Sequence, residues 1–258
     1  MRRCTMLFAS VVVAFGAACI DMSAPSGGPA SISLLQLPAS FVVAGDVMRD
    51  SAGDPAGMSV IAYNGSGEPI ADVTPQFFVT DSNAAAHIQS GNLLVGDAIG
   101  NVHVVGQVGS LQTAVATIPV TVAPTTLAAN SIDTLVAPLS GDTAVHGTKA
   151  VGFTVTGAGA ATVQGVIVHF SLIDTLPSTD SARPSAYLVN DQATVSGIDT
   201  TDSGGSASRT LVVIAARIPQ GTPMPTTLRV QATATYRGVQ LGGSPAITTV
   251  PVITRLAP

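Results

Sequence analysis

From Ser31 onward, apolar and polar residues alternate with a period of two, and turn residues cut the alternation at short intervals. The clearest case is Leu228-Arg229-Val230-Gln231-Ala232-Thr233-Ala234-Thr235-Tyr236. Side chains on a strand point alternately to opposite faces, so Leu228, Val230, Ala232, Ala234 and Tyr236 share one face while Arg229, Gln231 and the threonines share the other. Val166, Val168, Phe170 and Leu172 line up the same way. Earlier, residues 58–63 run into Asn64-Gly65-Ser66-Gly67, a turn sequence. Pro75 introduces Gln76-Phe77-Phe78-Val79-Thr80, which stops at Asp81-Ser82-Asn83. No stretch of the body has the 3.6-residue period of an amphipathic helix.

About seven short strands in about 95 residues is the spacing of an antiparallel sandwich. The pattern predicts an all-β chain with two such sandwiches in tandem, over residues 31–123 and 131–255. Residues 124–130, Pro124-Thr125-Thr126-Leu127-Ala128-Ala129-Asn130, are expected to be the linker. Residues 113–122 are long, uncharged and β-rich, and are expected to form an edge strand that either pairs with another chain or is covered by a loop of its own.

Composition narrows the function. The chain is 46% hydrophobic and 10% charged, the reverse of a disordered polymer. Ten basic against fifteen acidic side chains give −5, the wrong sign for a nucleic-acid surface. Only one Lys (Lys149) and one Glu (Glu68) occur, beside 17 Pro and 26 Gly, which suits strands and turns over helices.

The first residues read as an export signal: Arg2-Arg3, a short apolar run over residues 6–18, then small residues before Cys19. The run is shorter than the roughly 20 residues a membrane span needs. Gly16-Ala17-Ala18-Cys19 resembles the lipobox of bacterial lipoproteins, departing from it at Gly16, where Leu is usual. The resemblance implies cleavage of residues 1–18 and lipidation of Cys19. Cleavage takes Arg2 and Arg3 from the ten basic side chains, so fifteen acidic ones face eight. Such a body repels anionic lipid heads, and attachment falls to the lipid. Residues 19–30, rich in Ser, Gly and Pro, are expected to be a flexible tether. Cys4 lies in the leader, so the body holds no disulfide and must be stabilised by packing.

The first segment resembles a bacterial immunoglobulin-like domain of the group 2 type. The resemblance is carried by Gly67-Glu68-Pro69-Ile70-Ala71-Asp72-Val73-Thr74-Pro75, Asp81-Ser82-Asn83-Ala84, Ala86-His87-Ile88, Gly91-Asn92-Leu93 and Gly100-Asn101-Val102-His103-Val104. Phe77 stands where that family commonly has a core Trp, and the smaller ring implies looser packing. The second segment is similar to the invasin-type, group 1, domain in Gly165-Val166-Ile167-Val168-His169-Phe170-Ser171-Leu172, in Thr200-Thr201-Asp202-Ser203-Gly204-Gly205-Ser206-Ala207-Ser208-Arg209 and in the strand ending at Tyr236. Such domains serve envelope proteins and adhesins as structural or binding modules, and the fold alone confers no single function.

No catalytic constellation is legible, so no catalytic, metal or cofactor residue is assigned and the chain is read as a non-enzyme. His87, His103, His146 and His169 lack zinc spacing; His103 and His169 fall on solvated strand faces. Asp46, Asp50 and Asp54, and the pair Asp199 and Asp202, read as turn carboxylates rather than calcium ligands. Asn64-Gly65-Ser66 is formally a glycosylation sequon and reads as a turn. The expectation is an exported, lipid-anchored protein of the cell envelope, on the outer membrane facing the periplasm or the surface. Its Ig-like domains act as a structural or adhesive module, the membrane is met through Cys19, and a protein or glycan surface is the partner. The alternative is a carbohydrate-binding module, disfavoured by the absence of Trp and by Tyr63, Tyr187 and Tyr236 falling where cores want them.

Overall fold

The computed structural model describes residues 28–256. The leader, Cys19 and most of the expected tether lie outside the described residues. No α-helix occurs among the described residues; two single 3-10 turns, Ala158–Ala160 and Ala215–Arg217, interrupt the strands. The chain is all-β and forms two sandwiches in tandem, each around its own core.

The first body begins with β1 (Ser31–Ile32), β2 (Val42–Val43), β3 (Ala62–Tyr63), β4 (Gln76–Val79) and β5 (Ala86–Gln89). It continues with β6 (Leu93–Gly96), β7 (Gly100–Val108), β8 (Leu111–Gln112) and β9 (Ala116–Thr121). One sheet has the order β2-β9-β7-β4, with β8 pairing β7. Facing it are two short ribbons, β1-β3 and β5-β6. Isolated bridges Ala44↔Gly96 and Val47↔Val95 join the second ribbon to the end of β2. Val102, Val104 and Ile118 from the sheet meet Met48, Met58 and Leu94 from the other side. Phe77 is buried in this core and Phe78, one residue on, is half exposed, as alternation requires.

The second body holds β10 (Pro124–Ala129), β11 (Leu135–Leu139), β12 (Gly147–Gly157), β13 (Ile167–Leu172) and β14 (Ala186–Val189). Then follow β15 (Ile198–Thr200), β16 (Ser206–Val213), β17 (Thr227–Tyr236), β18 (Val239–Gln240) and β19 (Ala246–Leu256). A sheet β10-β12-β16-β14 packs on a sheet β11-β19-β17-β13-β15, with β18 pairing β17. The alternating residues of β17 are buried on one face as the pattern predicts: Leu228, Val230, Ala232 and Ala234 enter the core. Phe153 and Phe170 meet edge to face with centroids 5.5 Å apart, the geometry aromatic pairs favour. Arg209 is an inward position of β16 and is buried where β15 and β16 border the gap between the sheets. It pairs with Asp199 at 3.1 Å and lies 5.9 Å above the Phe170 ring.

Both bodies close the same way. The second strand of each runs parallel to the last: β2 beside β9, with Val42 opposite Val120, and β11 beside β19, with Leu135 opposite Val252. All other ladders in the two bodies are antiparallel.

Three expectations are corrected. Residues 124–130 are not a linker: β10 pairs with β12 and Leu127 is core, so only Val122 and Ala123 separate the last strand of the first body from the first of the second. The apolar Leu127 and β-branched threonines suit a strand, and the Pro opens it at an edge, where its missing N–H costs no ladder bond. Residues 113–122 are not a free edge either, because the strand starts at Ala116, is flanked by β7, and is covered at its end by β2. The tether ends before Ala30, whose amide donates to the Tyr63 carbonyl at 2.8 Å.

Candidate functional site

The residues that converge most closely do so at the seam between the two sandwiches. Its centre is Asp46, in the loop after β2, which is only 8% exposed. A buried carboxylate needs charge and hydrogen-bond partners, and Asp46 takes them from both bodies. Arg49, three residues on, grips it with two parallel bonds, Nε to Oδ2 and Nη2 to Oδ1, both 3.0 Å. Arg49 Nη1 also donates to the Gly53 carbonyl at 2.9 Å, so the loop is tied to its own anchor. From the second body, the Tyr236 hydroxyl donates to Asp46 Oδ2 at 2.8 Å and Arg237 Nε donates to the same oxygen at 3.0 Å. The Arg237 guanidinium also stacks over the Tyr236 ring at 5.5 Å.

The electrostatics follow from this arrangement. Burial by itself pushes the Asp46 carboxyl up; the two guanidiniums, the phenol and the Val47 amide outweigh it and hold it far below the usual carboxylate range. Burial and the neighbouring carboxylate push the Tyr236 hydroxyl up to about 12, so it stays a donor. Arg49 and Arg237 are both held above the ordinary guanidinium value, chiefly by their bonds to Asp46.

Backbone shape lets the seam close. Gly53 has φ +92°, and a Cβ there would lie 2.5 Å from the Arg237 backbone. Gly165, at φ +89°, would put a Cβ 2.9 Å from Phe41. Both positions need glycine for conformation and for clearance. Phe41 is partly buried against the second core, 6.4 Å from the Tyr236 ring, and its neighbour Ser40 donates to the Gly165 carbonyl at 2.7 Å. Val122, in the two-residue connection, also packs against the second core.

Beside this clamp opens a cleft of about 130 Å³. Phe41, Ile167 and Tyr236 supply its apolar walls, and Arg49, Arg237 and His169 are the basic groups on it. Domain seams are a common place for binding clefts.

The other carboxylates and histidines singled out by the sequence are scattered. Asp50 accepts the Ala52 and Asp54 amides, and Asp202 accepts those of Gly204 and Ser206, so both are turn carboxylates. Asp199 instead holds Arg209 and the Ser208 amide. Asn64 Oδ1 accepts the Ser66 and Glu68 amides, as a turn requires. His103 lies on a solvated strand face, as expected, and is paired there 2.8 Å from Asp81, which also accepts its backbone N–H. These two bonds, the backbone one first, hold the Asp81 carboxyl below its usual range. His87 is paired with Asp97 at 2.8 Å. Among the described residues no three His, Cys, Asp or Glu side chains gather as metal ligands, and no helix is long and apolar enough to cross a membrane. Asp46 is corrected, from turn carboxylate to the hub of the seam; Tyr236 packs against the second core, as expected, and its phenol also donates to Asp46. The available signals were Arg49 three residues after Asp46 and the Tyr236-Arg237-Gly238 turn ending the best strand. Neither says that the two meet.

No protein-family model and no curated protein matches the sequence. Among solved structures the chain is similar to domains 4 and 5 of the S-layer protein SbsC, at 14% identity and TM-score 0.33, covering 88% of this chain and 100% of that one. It is similar to the Yersinia pseudotuberculosis adhesin InvE at 16% identity and TM-score 0.35, over 86% of this chain and 60% of InvE. Invasin, a bacterial integrin-binding protein, matches at 11% identity and TM-score 0.30, over 87% of this chain and 40% of its own.

Proposed function

We propose that this chain is an exported, non-enzymatic protein of the cell envelope, held at a membrane by lipid on Cys19, whose two sandwiches act together as a structural or adhesive module. The observation that carries the reading is the Asp46 seam. A flexible pair of beads needs no buried carboxylate shared between its units; a module that presents surfaces at a set distance and angle does. The two-residue connection and the glycine-lined contacts at Gly53 and Gly165 serve the same end. The signal-like leader and the small-small-Cys junction support export and anchoring. Lipid provides the attachment that an acidic body cannot obtain from anionic headgroups.

The test is fractionation of cells carrying the full chain or Cys19→Ala, with protease added to intact and to lysed cells. Wild type is expected in the membrane fraction and the variant in the soluble one; a variant that stays on the membrane overturns the anchor. Cleavage on intact cells supports an adhesive role at the surface, and protection until lysis supports a structural role inside the envelope.

A further inference from the structure

The clamp does more than join the sandwiches: it presents hydrogen-bond donors to the cleft beside it. Arg237 is 49% exposed and turns Nε and Nη2 to Asp46, which leaves Nη1 without a partner among the described residues. Arg49 stands beside it on the cleft wall. A guanidinium has donors only. Asp50, also on the cleft, turns Oδ1 to the Ala52 and Asp54 amides of its own loop, while the Tyr236 hydroxyl donates to Asp46 and Ser40 donates to the Gly165 carbonyl. The walls, by contrast, are the apolar side chains of Phe41, Ile167 and Tyr236. Ile167 is a half-exposed apolar side chain on the outer face of β13, with His169 next along that face.

We propose that this seam cleft binds a carboxylate carried on a short apolar stem, with the stem against Phe41 and Ile167 and the carboxylate on the free guanidinium edge of Arg237. Charge-assisted bonds from a guanidinium to a carboxylate are the strongest available to these donors, and Asp46 holds the guanidinium in place beforehand. The carboxylate can come from a free short-chain acid or from an acidic side chain of a partner polypeptide. The inference rests on the two-body seam described above and not on the lipid anchor, so failure of one leaves the other standing.

The experiment is calorimetric titration of the purified full chain with 4-methylpentanoate, its amide 4-methylpentanamide, and the peptide acetyl-Leu-Glu-amide. The acid is expected to bind saturably and the neutral amide about tenfold more weakly or worse, the loss of one charge-assisted contact. Ile167→Trp, which fills the cleft from an exposed position, and Thr235→Glu, which adds a like charge to its wall, should each weaken the acid by about tenfold. Tighter binding of the peptide than of the acid assigns the site to a polypeptide partner; binding of the acid alone assigns it to a small carboxylate. Equal binding of acid and amide, unchanged binding by both folded variants, or no saturable heat from either carboxylate overturns the proposal.

Discussion

The two sandwiches share a plan and differ in how it is carried out. In the second, β12 and β19 are 11 residues each, and β12 pairs with β16 without interruption from Gly147 to Thr154. In the first, the layer opposite the main sheet is made of two-residue and four-residue pieces, β1-β3 and β5-β6, held by isolated bridges. The cores match this contrast. An edge-to-face pair of rings anchors the second, while the first relies on one Phe and on Met48 and Met58, flexible side chains that fill irregular space. Long ladders give a body its own cooperativity; a body built of short ribbons draws more from whatever it docks against. The seam stabilises both bodies by the same coupling free energy, which is the larger share of the stability of the first.

The largest effect is expected inside the second core. Phe153→Ala should destabilise that body by about 3–5 kcal/mol, whereas Leu94→Ala in the first should fall near the lower end of about 2–5 kcal/mol, because short ribbons can close over the cavity. Denaturant unfolding followed separately in each body checks this, and equal costs would remove the contrast. Next comes the seam. Asp46→Ala leaves two guanidiniums and a phenol without their acceptor and should cost about 1–3 kcal/mol, with the first sandwich melting before the second in calorimetry. Two bodies that still melt together would show that docking does not depend on the clamp.

A pH series sharpens the same point. The folded Asp46 carboxyl is depressed, so its contribution is complete above the unfolded value of about 4 and is lost progressively as acid is added below it, towards the folded value. Wild type should lose first-body stability only in strong acid, and Asp46→Asn should lack this dependence while being weaker at neutral pH. The smallest effect is at Lys149–Asp133, 3.3 Å apart with Asp133 almost fully exposed. Asp133→Ser should change stability by less than about 0.5 kcal/mol in either direction, which sets the baseline for the others.

Much of the fold was legible in the residues. Leu228 to Ala234 and Val168 with Phe170 are buried on the faces that alternation assigned, and Phe77 is inside. The reading failed where an element is defined by its partner. Residues 124–130 carry little alternation and much Thr and Ala, and they become a strand because β12 offers an edge. Residues 113–122 look like an edge in isolation and are covered by Val42 and Val43, more than seventy positions earlier. The site was less legible still. Asp46 and Asp50 are four residues apart in one loop, yet the first is buried in a three-partner clamp and the second closes a turn.

The sequence by itself determined the class of structure, the inward face of most strands and the lack of cysteines in the body, because side-chain alternation and composition are local properties that each segment carries alone. The tertiary structure decided which strands close each sandwich, where the second one begins, and that Asp46 meets Tyr236 across 190 positions of chain. A carboxylate's burial and bonding are set by what the rest of the fold brings to it, and no neighbouring residue in the chain records that.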